Sequence, residues 1–159
     1  MAKSVPKAIQ RGLLAILILL LLAAVGILLS PITPIPGGAM SGETVTAAVA
    51  DWSFAKSARF AQLETQVPAP RTITVRCIVA GGQLYVGCSR CAGRRWSAQL
   101  EAQPAARYRV NGTIYPVTAT KVTDPEELAR VWLVRAAGTG DDHPGPKPDD
   151  IWFFRLDSR

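Results

Sequence analysis

Two cysteines in the middle of the chain have the spacing found in redox and structural disulfides. Cys88 and Cys91 form a C-x-x-C motif, and Cys77 brings the number of cysteines to three. A tight turn that places Val86 opposite Cys77 leaves Cys88 a diagonal neighbour about 7–8 Å away, which is long for a disulfide. We therefore predict a Cys88–Cys91 disulfide at a strand-to-helix corner, with Cys77 as a small buried apolar residue. A thioredoxin-type catalyst is not indicated, because its cysteine pair begins a helix within a βαβ unit.

Metal-dependent and hydrolytic chemistry lack the residues that they require. A zinc site needs a fourth ligand beside the cysteines, and the single histidine, His143, lies in a loop-like Asp-Asp-His-Pro segment. A Ser or Cys triad would have only His143 as its base, and the sequence has neither a nucleophile elbow nor a phosphate-binding P-loop. The sequence therefore predicts no metal site and no catalytic residue, and it leaves enzymatic activity uncertain.

Alternating apolar residues predict strands around the cysteine motif. A strand is predicted at 71–80, where the odd-numbered positions from Ile73 to Val79 are apolar and share one face. Gly81-Gly82 predicts a hairpin turn, because glycine reaches the positive φ angles of tight turns, and 83–89 is the returning strand. An earlier strand is predicted at 60–67, before a Pro-Ala-Pro turn.

A second hairpin and a closing strand are predicted further along the chain. Asn111-Gly112 favours a tight hairpin turn between strands at 107–110 and 113–122. The run 151–156 is apolar on both faces and predicts a buried last strand. Six short strands would expose unpaired edges unless the sheet closes, so we expect a small antiparallel barrel.

Three helices are predicted to decorate this barrel. One is expected at 45–54 and one at 93–103, where Pro104 marks the end. The third has the clearest start, because Asp124 is a suitable N-cap, proline follows at the first helical position, and Glu127 completes a capping box. It should end near Gly138, before a loop rich in Gly, Pro and Asp.

The first thirty residues predict a membrane anchor. Lys3, Lys7 and Arg11 precede the uncharged apolar run 12–29, which as a helix would cover about 27 Å, close to the thickness of a bilayer core. The positive-inside rule then places the N-terminus in the cytoplasm of a bacterial inner membrane and the C-terminal domain in the periplasm or otherwise outside. A cleaved signal peptide is the competing interpretation, although its apolar region is usually shorter, about 7–15 residues, and a proline-rich stretch follows here.

This organisation divides the chain into three parts. Residues 1–30 form a cytoplasmic tip and transmembrane helix, 31–42 a Pro/Gly spacer, and 43–159 one extracytoplasmic domain with a single core. The formal net charge is +6, but three of the 18 basic residues belong to the tip, which leaves fifteen against 12 acidic residues. No concentrated basic face is indicated, so a nucleic-acid partner is not expected.

The order and spacing of these elements resemble those of a known family. The run RTITVRCIVAGGQLYVGCSRCAGRRWSAQLEAQPAARYRVNGTIYPVTATKV is similar to the core of flavin-binding split-barrel proteins. This is the superfamily of pyridoxamine phosphate oxidase and the deazaflavin-dependent nitroreductases. The resemblance covers 60–122 and includes a helix in which Trp96 and Leu100 lie one turn apart before Pro104. It implies a mainly-β (α+β) domain, antiparallel and split-barrel-like, with two or three short helices.

The resemblance also implies a set of cofactor-binding residues. Members that bind flavin hold its phosphate with basic and hydroxyl residues on the first hairpin and at the start of the following helix. The matching positions here are Thr74, Arg76, Ser89, Arg90, Arg94 and Arg95. Arginine forks and a helix N-terminus are suited to phosphate. Against this, Pro68-Ala69-Pro70 replaces the Lys/Arg, small residue and Gly of the deazaflavin-type members, and an outward-facing domain would lie apart from cytoplasmic electron donors.

Taken together, these features favour a membrane-anchored accessory or scaffolding subunit without a cofactor. Its partners would be lipid and integral membrane proteins of a hetero-oligomeric complex, for example one in electron transport or photosynthesis. The alternative is a flavin- or deazaflavin-dependent oxidoreductase that binds FMN or a deazaflavin through the six residues above. A third interpretation is an anchored binder of a small apolar or haem-like ligand.

Overall fold

A computed structural model describes residues 16–22, 37–65, 70–141 and 143–159. The chain divides into two compact units, 1–35 and 36–159. In the first unit, residues 16–22 are helical and are called α1. The rest of the predicted membrane span and the proline-rich part of the predicted spacer lie outside the described residues. Within the described ranges, no helix combines the length and the apolar character needed to cross a membrane.

The second unit is built on one antiparallel sheet of seven strands. The strands are β1 (Phe60–Thr65), β2 (Arg71–Arg76), β3 (Ile78–Ala80), β4 (Gln83–Ser89), β5 (Ala105–Val110), β6 (Thr113–Lys121) and β7 (Ile151–Ser158). Their order in the sheet is β2-β1-β5-β6-β7-β4-β3. The helices are the 3₁₀ turns η1 (Ser53–Ala55) and η2 (Cys91–Gly93) and the α-helices α2 (Arg95–Ala102) and α3 (Pro125–Ala137). The prediction of a small α+β domain is thus confirmed.

One stretch of chain supplies both edges of the sheet. β2 and β3 are separated only by Cys77, whose N–H donates to the carbonyl of Arg59 at 3.3 Å, and they pair with β1 and β4 respectively. Since the two edge strands are covalent neighbours, the sheet has to curl into a half-barrel. The prediction of one uninterrupted strand at 71–80 is wrong for this reason.

Both predicted hairpins are confirmed. Gly81 and Gly82 have φ angles of +60° and +79°, and the two residues of the second turn, Asn111 and Gly112, have φ angles of +52° and +86°. These left-handed conformations twist a two-residue turn in the same sense as the strands that it joins. The turns set the registers Ala80–Gln83 and Val110–Thr113.

Two apolar clusters hold the domain together. The barrel core fills the concave side of the sheet, and its largest buried members are Trp52, Leu63, Leu84, Leu100, Tyr108, Phe154 and Leu156. The second cluster lies beneath α3 and includes Ile78, Tyr85, Val122, Val131, Ile151 and Phe153. Complete burial of each large apolar side chain contributes about 1.5–3 kcal/mol. The last strand, which was predicted to be apolar on both faces, contributes to both clusters.

The predicted N-cap of α3 is confirmed, whereas the Glu127 carboxylate contacts the sheet instead of completing the predicted capping box. The Asp124 carboxylate accepts a hydrogen bond from the backbone N–H of Glu127 at 2.7 Å, and Pro125 occupies the first turn. The Glu127 carboxylate accepts from the Tyr85 hydroxyl at 2.8 Å and lies 3.3 Å from the Arg155 guanidinium. Glu127 therefore joins α3 to the sheet.

The helix predicted at 45–54 is wrong. Instead, residues 38–45, called the 38–45 arm, lie extended along the polar face of the sheet. The backbone of Met40 contacts the carboxylate of Glu64 through its N–H and the guanidinium of Arg107 through its carbonyl. The Val45 N–H donates to the carbonyl of Ile114, whose own N–H donates to the carbonyl of Glu43, both at 2.9 Å. Within 45–54, the N–H groups of Val45 and Trp52 donate to the carbonyls of Ile114 and Gly82, so they are not available for helical hydrogen bonds.

Candidate anion-binding site

The candidate site begins at the corner where β4 leads into α2. The Sγ atoms of Cys88 and Cys91 are 2.01 Å apart, in a disulfide. Between them, Arg90 has a left-handed conformation with a φ of +54°, which is uncommon for a residue with a side chain. Cys77 carries a free, half-buried thiol, and burial raises its pKa.

Cys91 also anchors the first turn of α2. Its carbonyl oxygen accepts the backbone N–H of Arg94 at 2.9 Å and the hydroxyl of Ser97 at 2.5 Å. The Ser97 side chain is fully buried and also lies 2.8 Å from the carbonyl of Arg94. These bonds fix Arg94 as the N-cap of α2 and Arg95 as its first helical residue.

The start of α2 and the adjoining ends of β1 and β2 enclose an open cleft of about 300 Å³, called the cationic cleft. β2 contributes Arg71, because the antiparallel register places it opposite Thr65 at the end of β1. The lining residues are Thr65, Arg71, Ile73, Gly93, Arg94, Arg95, Trp96 and Gln99. Three exposed arginines therefore share one cleft with a helix N-terminus.

The electrostatics of the cationic cleft favour an anion. Helix N-termini carry partial positive charge, so a cation there is unfavourable by about 0.3–1 kcal/mol when no anion is present. α2 nevertheless begins with Arg94 and Arg95, has no acidic residue in its first turn, and has no side-chain hydrogen bond from its N-cap. None of the eight described residues that line the cleft is acidic. Bound phosphate would offset the repulsion and receive the unpaired N–H groups of the first turn.

A hydrogen bond on the cleft wall orients one further donor. The hydroxyl of Thr65 donates to Oε1 of Gln99 at 2.8 Å, and the Thr65 side chain is almost completely buried. With its oxygen engaged, the Gln99 amide has its two N–H groups to offer as donors. The wall of the cleft therefore adds neutral donors to the arginines.

The structure separates the six residues that the resemblance implied. Arg94 and Arg95 line the cationic cleft. Arg76 donates to the carbonyl of Gly138 after α3 at 3.0 Å, and the Ser89 hydroxyl accepts from Arg135 at 3.3 Å. The two others lie apart from the cleft, Thr74 exposed on β2 and Arg90 with its N–H directed to Asp150 at 3.2 Å.

Sequence reasoning missed Arg71, Thr65 and Gln99. Arg71 and Thr65 flank the predicted turn between the first two strands, so assuming a hairpin there would have paired them. Gln99 lies four residues after Arg95 and therefore on the same helix face. Within the described ranges, no three His, Cys, Asp or Glu side chains are grouped to hold a metal ion.

Comparisons with known proteins agree with the fold. No protein-family model matches the sequence, and no curated protein matches it. Among solved structures, a protein described as a pyridoxamine 5'-phosphate oxidase from Listeria innocua aligns with a TM-score of 0.56 at 11% identity, covering 67% of this chain and 89% of that one. A conserved hypothetical protein from Mycobacterium tuberculosis aligns with a TM-score of 0.53 at 17% identity, covering 75% and 86%. A haem storage protein from Vibrio cholerae gives 0.50 at 17% identity, covering 67% and 85%.

These likenesses confirm the fold expected from the resemblance, because the chain has the split-barrel fold of the structures with which it aligns. They contradict the interpretation of the chain as a membrane-anchored scaffolding subunit. The structures that share the fold are described as an oxidase, a haem storage protein and a hypothetical protein, and none of these three is described as a scaffold. The flavin-dependent alternative agrees better with the fold.

Proposed function

We propose that the cationic cleft binds the phosphate of a flavin or deazaflavin and that the chain is an oxidoreductase dependent on this cofactor. The observation that carries the proposal is the meeting of Arg71, Arg94 and Arg95 at the start of α2, in a cleft lined by no acidic residue among those described. The split-barrel fold, shared with a protein described as a pyridoxamine 5'-phosphate oxidase, supports it.

The residues of the cleft fit a phosphate group in charge and in donor chemistry. Guanidinium groups give paired N–H donors that match phosphate oxygens, and the first-turn amides of α2 add backbone donors. The volume of about 300 Å³ is at the lower end of that of ligand pockets. It suits the phosphate and the adjoining part of a cofactor.

Each part of the cleft then has a separate task. The three arginines bind the phosphate, and Gln99 supplies oriented amide donors. Ile73 and Trp96 are half-buried and provide the apolar part of the cleft wall. When bound, the cofactor supplies the hydride or electron transfer, while this chain's residues hold and orient it.

Titration of the full-length protein with FMN and with a phosphate-bearing deazaflavin tests the proposal. We expect at least one of the two cofactors to bind. Quenching of cofactor fluorescence measures the binding. Arg71→Gln and Arg94→Gln should each weaken it at least about tenfold, since a charged hydrogen bond contributes about 1.5–3 kcal/mol. Arg159→Gln removes the same charge from an exposed residue outside the cleft and should leave the affinity within about twofold. Failure to bind either cofactor, or equal affinity in all variants, would overturn the proposal.

A further inference from the structure

We propose that the Cys88–Cys91 disulfide positions the arginines of the cationic cleft and that its reduction by a dithiol loosens the start of α2 and weakens anion binding. The predicted loss of anion binding rests on the proposed function of the cleft. The positioning of the start of α2 by the disulfide does not depend on that function. It assigns to the C-x-x-C motif a role in controlling the site.

The connection between the disulfide and the cleft is short and direct. Cys91 is completely buried, and its carbonyl oxygen accepts both the Arg94 N–H and the Ser97 hydroxyl. Arg94 and Arg95 follow immediately and line the cleft. The other half of the disulfide, Cys88, lies in β4, where it is paired with Trp152 of β7. The S–S bond therefore ties the anchor of α2 to β4, between β7 and the edge strand β3.

The segment closed by the disulfide is held in an uncommon conformation. Arg90 is left-handed, and its N–H and that of Cys91 are bonded to the side chain and the carbonyl of Asp150, both at 3.2 Å. Once the S–S bond is broken, the corner keeps these two bonds at the edge of an exposed loop, the bond from the Gly93 N–H to the Arg90 carbonyl at 3.2 Å and the contact of the Trp152 N–H with the Cys91 sulfur, but it loses its covalent link to β4. A non-glycine residue leaves the left-handed region readily when the surrounding constraints are removed. Reduction should therefore free the corner and, with it, the first turn of α2.

The two sulfurs are placed unequally for thiol–disulfide exchange. Cys88 is half-buried whereas Cys91 is buried, so we expect an incoming thiolate to attack the Cys88 sulfur. That attack forms a mixed disulfide and releases Cys91 as a thiolate, and the Trp152 N–H lies 3.3 Å from this sulfur and can donate to it. The second thiol of the dithiol then attacks the mixed disulfide and releases Cys88. The protein gains two electrons and, from the two thiols by way of solvent, two protons, while the dithiol becomes a disulfide.

Amide hydrogen exchange on the full-length protein tests the structural part. A Cys77→Ala background leaves only the motif cysteines, and oxidised and dithiothreitol-reduced samples are compared, with reduction verified by alkylation of two thiols. We expect amides of 94–99 to exchange at least about tenfold faster after reduction. Amides of the β5–β6 hairpin should change less than about twofold and serve as the internal control. A Cys88→Ser, Cys91→Ser variant should show the fast exchange without reductant and no further response to it.

FMN affinity, measured on the same samples, tests the consequence. We expect reduction to weaken binding at least about tenfold and reoxidation to restore it. Unchanged exchange at 94–99 in fully reduced protein would overturn the inference, and so would faster exchange with FMN affinity constant within twofold. If neither form binds FMN or the phosphate-bearing deazaflavin while exchange at 94–99 responds to reduction, the cofactor proposal fails and the positioning role of the disulfide stands.

Discussion

Glu64 shows how one buried charge fixes a segment that the strand pattern did not place. Its carboxylate is 1% exposed, forms an ion pair with Arg107 at 2.6 Å, and accepts the N–H of Met40. The pair therefore clamps the 38–45 arm to the sheet. A buried ion pair is weak evidence of net stabilisation, but removal of one partner leaves the other charge uncompensated.

We expect Glu64→Gln to lower the free energy of unfolding by about 2–3 kcal/mol, toward the lower end for buried pairs because the Arg107 side chain is 25% exposed. Urea unfolding monitored by tryptophan fluorescence measures the change. Glu101→Gln breaks the exposed pair with Lys121 and should cost no more than about 1 kcal/mol. Equal losses in the two variants would show that the clamp does not contribute as described.

Gly87 is required by a close approach between strands. It pairs with Phe153 of β7, and a Cβ on residue 87 would lie 2.8 Å from two carbons of the buried Phe153 ring. Gly87→Ala should therefore reduce the free energy of unfolding by about 1–3 kcal/mol. Gly145→Ala, where nothing lies within 4 Å of the added carbon, is the matched control for the same urea experiment. A Gly87→Ala protein as stable as the control would contradict the packing.

At the scale of elements, structure that depends on local residues was predicted well, whereas structure that depends on the pairing of distant strands was not. The two hairpins and α3 follow from turn and cap residues that act within a few positions. The break at Cys77 depends on which distant strands each half of 71–80 meets, and the 38–45 arm depends on polar groups of β1 and β5. The sequence identified only part of the cationic cleft for the same reason. Arg94 and Arg95 are placed by the helix that carries them and were predicted, whereas Arg71 reaches the cleft through strand pairing and was missed.

The cap of α3 gives a direct test at this scale. Asp124→Ala removes the acceptor for the Glu127 N–H and should lower the free energy of unfolding by about 1 kcal/mol. Asp149→Ala removes the same charge from an exposed residue of the loop before β7 and should change it by less than about 0.5 kcal/mol. Thermal unfolding of both variants provides the comparison, and indistinguishable midpoints would argue against the cap.

For the whole domain, the buried Tyr108 in the barrel core leads us to expect a lower free energy of unfolding at alkaline pH. Burial raises the pKa of Tyr108 far above its ordinary value of 10.0, and the nearby Cys77 thiol raises it further. Above pH 10 the unfolded chain therefore releases the Tyr108 proton while the folded domain keeps it. The stabilisation is complete below pH 10 and is lost as the pH rises, by about 1.4 kcal/mol per pH unit.

Urea unfolding between pH 9 and 11 checks this dependence. Tyr108→Phe should flatten the decline above pH 10, because the titrating group is gone while the ring still fills the core. If the variant and the unaltered protein lose stability at the same rate, Tyr108 is not the group responsible.

The whole molecule also shows where sequence reasoning about function went wrong. The scaffold interpretation was drawn from the apolar N-terminal run, whereas the solved structures that share the fold support the flavin-dependent alternative. The membrane topology, the domain boundaries and the partners inferred from that run stay predictions. The domain itself could be assigned to the split-barrel fold, because the order and spacing of its elements match that fold although no single motif is specific to it.

The account depends most on a phosphate group bound by the cationic cleft. Comparing FMN with riboflavin, which differs from FMN only in lacking the phosphate, isolates that contribution in the unaltered full-length protein. With two or more arginine contacts, each contributing about 1.5 kcal/mol or more, we predict that FMN binds about 100-fold more tightly than riboflavin. Affinities for FMN and riboflavin that agree within about twofold would contradict the proposed function, and so would failure to bind both FMN and the phosphate-bearing deazaflavin.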